Sequence, residues 1–155
     1  MPNLQAMAAH YYRSKGSRPT PEERDTFHRW LLLQFSRISS RVDLTPDELT
    51  PEQFLLVHAT TGRLLISTAH NVHPHWLPGE NIMFRAVHDW FHLRANCGFD
   101  LEGEIEACEY AKQSAPESIH WILESETCLQ AAACLAAGGV FPRQKLVRQL
   151  GRSQT

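Results

Sequence analysis

The sequence predicts a mainly α fold, a single-domain helical bundle of about five to seven helices spanning residues 1–155, with one irregular or short extended stretch at about 63–80. Three observations carry this expectation. Apolar residues recur at helical spacing through most of the chain, Thr-Pro-x-Glu/Gln runs mark helix starts, and "RLLISTAHNVHPHWLPGEN" holds too many Pro, Asn and β-branched residues for a helix. A chain of 155 residues can bury one substantial core, expected over about 20–150 with a short frayed C-terminal tail.

The elements follow in order. Residues 3–15 form a first helix, ended by Gly16. Thr20, Pro21 and Glu23 read as N-cap, first helical residue and capping-box partner of a helix over 21–39, with Phe27, Trp30, Leu31, Gln34 and Ile38 in helical phase. Thr45 and Thr50 open a short turn and a short helix ending near His58. Four helices are then predicted at 81–96, 101–114, 117–137 and 142–150, separated by Gly98, Pro116 and Gly138-Gly139.

Composition excludes several classes of function. Hydrophobic residues make up 43% and charged residues 21% of the chain, as in ordinary globular proteins. A net charge of -2 gives no general reason to bind nucleic acid or an anionic membrane. No signal peptide or membrane span is visible, and Cys97, Cys108, Cys128 and Cys134 show no Cys-x-x-Cys spacing. A reduced, cytoplasmic protein is expected, possible homo-oligomer included. The nine histidines are unusual, and His70, His73, His75, His88 and His92 cluster.

Ionisable residues on apolar helix faces point to chemistry. In "NIMFRAVHDWFHLRANCG", His88 and His92 lie one turn apart and share an arc with Phe84, Phe91 and Ala95, while Asp89 sits about 100° round. In the following helix Glu104 falls about 40° from Cys108, among Leu101, Ile105 and Ala111. In the long helix, Ile119, Ile122, Leu129 and Ala133 all lie within roughly 60° of Glu126, whereas Glu124 points to the surface. Buried acids are usually paired or bound to metal, and two His at i and i+4 can hold one ion. His88, His92, Glu104 and Glu126 are therefore the candidate ligands of a divalent ion, zinc first, then iron or manganese. Asp89, Glu104 and Glu126 are the candidate catalytic groups, Asp89 supporting a histidine or accepting a proton. The loop histidines His70, His73 and His75 read first as a solvated loop, and Arg63, Arg85 and Arg94 as surface arginines.

Two resemblances bear on these residues. The pair His88-Asp89 resembles the centre of the HD-domain phosphohydrolases, all-α metal enzymes with ligands in the order His…His-Asp…Asp. His58 or His70 would supply the first histidine; no aspartate follows Asp100, so Glu126 would take the last place. The segments "ENIMFRAVHDWFH", "GFDLEGE" and "ESETCLQ", across roughly 80–130, are similar to uncharacterised proteins of bacteria and their phages. That similarity implies the set His88, Asp89, His92, Glu104 and Glu126 and no particular activity.

The expected function is a metal-binding helical protein, a metal-dependent hydrolase that activates water for a small-molecule substrate. A non-haem iron oxidase or oxygenase, and a non-enzymatic module with a structural metal or buried polar network, are the alternatives.

Overall fold

The computed structural model describes residues 3–148. The fold is mainly α, as the sequence predicts: the described residues form six helices and one small parallel sheet. α1 (Leu4–Arg13) starts where Asn3 accepts from the Ala6 N–H at 3.0 Å. α2 (Pro21–Ser36) starts on the expected capping box, in which Glu23 N–H donates to Thr20 Oγ1 and Thr20 N–H donates to Glu23 Oε1. α3 (Pro51–Thr61) repeats this box with Thr50 and Gln53 and stops at Gly62, whose φ of 70° is the left-handed turn that glycine adopts freely.

β1 (Val42–Thr45) and β2 (Leu64–Ser67) flank α3 and pair in parallel, from Val42↔Leu64 to Thr45↔Ser67. The extended stretch expected after residue 63 is thus present as β2. The turn expected at Thr45 is instead the end of a strand, because β2 offers its backbone groups as partners to Val42–Thr45.

α4 (Pro78–Ala95) begins three residues earlier than expected, since Pro78 occupies the first helical position and Leu77 N–H donates to Glu80 Oε1 at 2.9 Å. α5 (Leu101–Ser114) starts at Asp100, which accepts from Gly103 N–H at 2.8 Å. A short 3₁₀ turn at Glu117–Ile119 leads into α6, residues 120–136. α6 is an α segment His120–Glu124, a π turn Ser125–Leu129 and a second α segment Gln130–Ala136.

α4 lies at the centre of the core. Its Phe84 packs 5.9 Å from the Phe27 ring and its Phe91 6.0 Å from Trp30, both on α2. Leu64 and Ile66 of β2 and Ile119, Ile122 and Leu123 join the same apolar cluster. Burying each side chain of this size contributes about 1.5–3 kcal/mol, so the histidines of α4 are carried on the best-anchored helix.

The helix expected at 142–150 is not formed in its described part: residues 140–148 run as an irregular strap. Leu146 and Val147 are buried, and the strap's backbone bonds to neighbours rather than to itself. Ser17 N–H donates to the Leu146 carbonyl, Val147 N–H to Ser125 Oγ, and Lys145 N–H to Tyr11 Oη. Those partners supply what an intrahelical ladder would otherwise supply. Residues 149 and 150 of that expected helix, and the expected frayed tail, lie outside the described residues. Among the described residues no helix is long and apolar enough to cross a membrane.

Candidate metal centre

α4 and α5 together place three side-chain atoms at one point. His88 Nε2 is 3.1 Å from His92 Nε2 and 2.9 Å from Glu104 Oε2, which is itself 3.2 Å from His92 Nε2. The two histidines come together because i and i+4 share a helix face. Phe84 stacks on the His88 ring and Phe99 on the His92 ring, which fixes both imidazoles. Glu104 arrives from the first turn of α5, one turn after Asp100 caps it.

The loop between α4 and α5 sets the proton on His92. Asn96 ends α4 in a left-handed conformation, and the chain turns so that the Gly98 carbonyl lies 3.0 Å from His92 Nδ1. A carbonyl only accepts, so Nδ1 carries a hydrogen, and Nε2 is the ring nitrogen that faces His88 and Glu104. This turn requires Gly103. A Cβ there would stand 1.8 Å from the Gly98 oxygen, an impossible contact. Cys97 Sγ also donates to the Gly103 carbonyl, at 3.2 Å.

Two ring nitrogens and a carboxylate oxygen meet at this spacing. Burial raises the Glu104 carboxyl, but the charge and hydrogen bonds of His88 and His92 outweigh it and bring the group down to about 2. Burial opposes a charge on His88, yet the adjacent Glu104 keeps its pKa above the ordinary imidazole value. Without a metal, a proton on His88 offsets the Glu104 charge. His92 is fully enclosed, while the His88 and Glu104 side chains are 20% and 14% exposed, so the cluster reaches solvent on one side.

No family model, curated protein or solved structure matches the chain.

Of the five residues singled out by sequence, His88, His92 and Glu104 converge, and among the described residues they form the one group of three or more with ligand atoms within 4.8 Å of one another. Asp89 stands beside them, half-buried and without a side-chain hydrogen bond to any described residue; burial pushes its carboxyl up to about 6 against the pull of His88 and His92. Since His92 Nδ1 is held by Gly98, orienting that ring is not Asp89's part.

Glu126 is not in the group. Its Oε1 accepts from His73 Nε2 at 2.7 Å, both side chains being nearly enclosed. His73 Nδ1 accepts the His75 N–H at 3.0 Å, which puts the ring hydrogen on Nε2, facing Glu126. Glu126 faces inward as expected, and its partner is His73 of the loop before α4. The π turn at Ser125–Leu129 widens the helix there, so the regular 100° count fails around Glu126.

The other expectations resolve similarly. Glu124, expected on the surface, is buried and pairs with Lys112, because the strap at 140–148 and α5 enclose α6 on the side that an amphipathic helix would leave open. His70 is exposed and pairs with Glu48, and His58 lies edge-on to Trp90. Arg63 pairs with Asp43, and Arg85 donates to the carbonyls of Ser67, Ala69 and His70, pinning that loop to α4. Sequence reasoning did not find the partnership of His73 with Glu126 or the roles of Gly98 and Gly103. The glycines in "CGFDLEGE" were the available signal.

Proposed function

We propose that His88, His92 and Glu104 bind one divalent metal ion, zinc in the leading version, and that the ion activates a water for hydrolysis of a small-molecule substrate. The observation that supports this is the 2.9–3.2 Å spacing of the three ligand atoms. Donors about 2.0–2.2 Å from a common ion stand roughly 2.8–3.6 Å from each other at angles of about 90–110°. The solvent-reaching side at His88 and Glu104 leaves room for a water as a further ligand. Asp89, immediately after the first histidine of His-x-x-x-His, occupies the position where metal-dependent hydrolases with His-Glu-x-x-His keep their general base. In this reading Asp89 takes the proton from the water.

Two His and one carboxylate also suit Fe(II), and the ligand set favours that as the second reading. Metal analysis of protein purified without added metal separates the versions. Wild type and Glu126→Gln are expected to carry about one ion per chain and Glu104→Gln to lose it; zinc supports the hydrolytic version, iron the oxidative one. An absence of stoichiometric metal from wild type, even after zinc is offered, overturns both.

A further inference from the structure

The end of α2, α4 and α5 line an open cleft of ≈ 400 Å³ that none of His88, His92 and Glu104 lines. Arg37, Arg41 and Arg94 line it together with Trp90, Tyr110 and Gln34. The guanidinium of Arg41 lies 5.3 Å and that of Arg94 5.8 Å from the centre of the Trp90 ring. The ring attracts both cations. No acidic residue lines the cleft, and none of the three arginines has an ion pair with a described residue. Helix ends account for Arg37 and Arg94 singly, since cations are favoured at helix C-termini. They do not account for three like charges meeting in one concavity.

Gln34 also lines the cleft; most of the residue is buried, and its side-chain amide has no hydrogen-bond partner among the described residues, which leaves it available to a ligand there.

We infer that this cleft binds a small, multiply charged oxyanion of the phosphate-ester or pyrophosphate class. The guanidinium forks of Arg37, Arg41 and Arg94 would take the phosphoryl oxygens, with Gln34 donating from its amide. The size of the cleft lies within the range of small-molecule sites. The chain's net charge of -2 disfavours a nucleic-acid backbone as the source of the phosphate.

Calorimetric titration with inorganic pyrophosphate at about 0.1 M salt tests this. Binding should weaken at least tenfold in Arg41→Gln and in Arg94→Gln. It should persist in Arg63→Gln, whose arginine lies outside the cleft, and in Glu104→Gln, which removes chelation at the proposed metal centre as an explanation. If Arg94→Gln loses its near-UV circular dichroism, Arg37→Gln on the exposed end of α2 replaces it. Absence of pyrophosphate binding to wild type, equal weakening in Arg63→Gln, or binding of a single-stranded oligonucleotide without pyrophosphate would each overturn the inference.

Discussion

His92 gives its Nδ1 hydrogen to the carbonyl of Gly98 at 3.0 Å, and that same carbonyl lies where a Cβ on residue 103 would have to be. The tautomer of a proposed ligand is thus tied to the absence of a side chain on α5. Gly103→Ala must push the 96–100 turn away from α5, at a cost of about 1–3 kcal/mol in urea unfolding. Loss of the Gly98 hydrogen bond also frees the His92 ring, and zinc affinity should fall by about 10–100-fold. Unchanged stability and affinity would show that the turn moves without consequence for His92.

Zinc binding should release a proton. Glu104 needs none removed, since its carboxyl lies near 2, whereas His88 is held above its ordinary value in the metal-free protein. The ion must displace the proton that Glu104 holds on His88, so affinity should rise with pH until His88 is deprotonated. Calorimetry in two buffers of different ionisation enthalpy reads the released proton directly. Identical apparent enthalpies at pH 7 would contradict the prediction.

Tyr11 couples stability to alkaline pH. Its hydroxyl donates to the Arg143 carbonyl and accepts from Lys145 N–H, and burial pushes its pKa from 10.0 up to about 12. The unfolded chain therefore loses this proton first, and stability falls as pH rises from about 10 to about 12. Below pH 10 the group contributes no slope. Tyr11→Phe should be less stable at pH 8 by about 1 kcal/mol for the lost hydrogen bonds and should show a shallower decline between pH 10 and 12. Denaturant melts at a series of pH values measure both.

The helical bundle and three of the site residues were legible because they depend on local rules. Thr20-Pro21 and Thr50-Pro51 encode their caps within four residues, and His88 and His92 share a face by helix geometry alone. What was not legible depends on distant chain. Glu124 was placed at the surface on the assumption that α6 has one dry face, but the strap at 140–148 covers the other side. The strap itself was expected as a helix because nothing local reveals that Ser125, Ser17 and Tyr11 would take its backbone groups. Both misplacements have one cause, tertiary contacts that no local pattern reveals.

Lys112 and Glu124 form the pair that this covering makes possible, with side chains 15% and 4% exposed. Lys112→Met leaves a carboxylate enclosed and unpaired, which should cost about 3–5 kcal/mol. Lys112→Met combined with Glu124→Leu removes both charges and should recover most of that loss. A double variant as unstable as the sum of the singles would mean that the two residues act independently. Thermal or urea unfolding of the four proteins completes the cycle.

Glu126 separates inward orientation from ligation. Its carboxylate and the His73 ring are nearly enclosed and bond at 2.7 Å, so Glu126→Gln replaces a charge-assisted bond with a neutral one, and the amide must compete for the same Nε2 hydrogen. The variant should lose about 1–2 kcal/mol of stability while its metal content stays at the wild-type value. His73→Ala should behave the same way, because the two residues form one bond that ties the loop before α4 to the π turn of α6. Glu104→Gln should do the reverse, losing the ion by removing one of three converging ligands. If Glu126→Gln also loses the ion, then Glu126 acts on the centre after all, and the loop pairing with His73 is an alternative to ligation rather than its replacement.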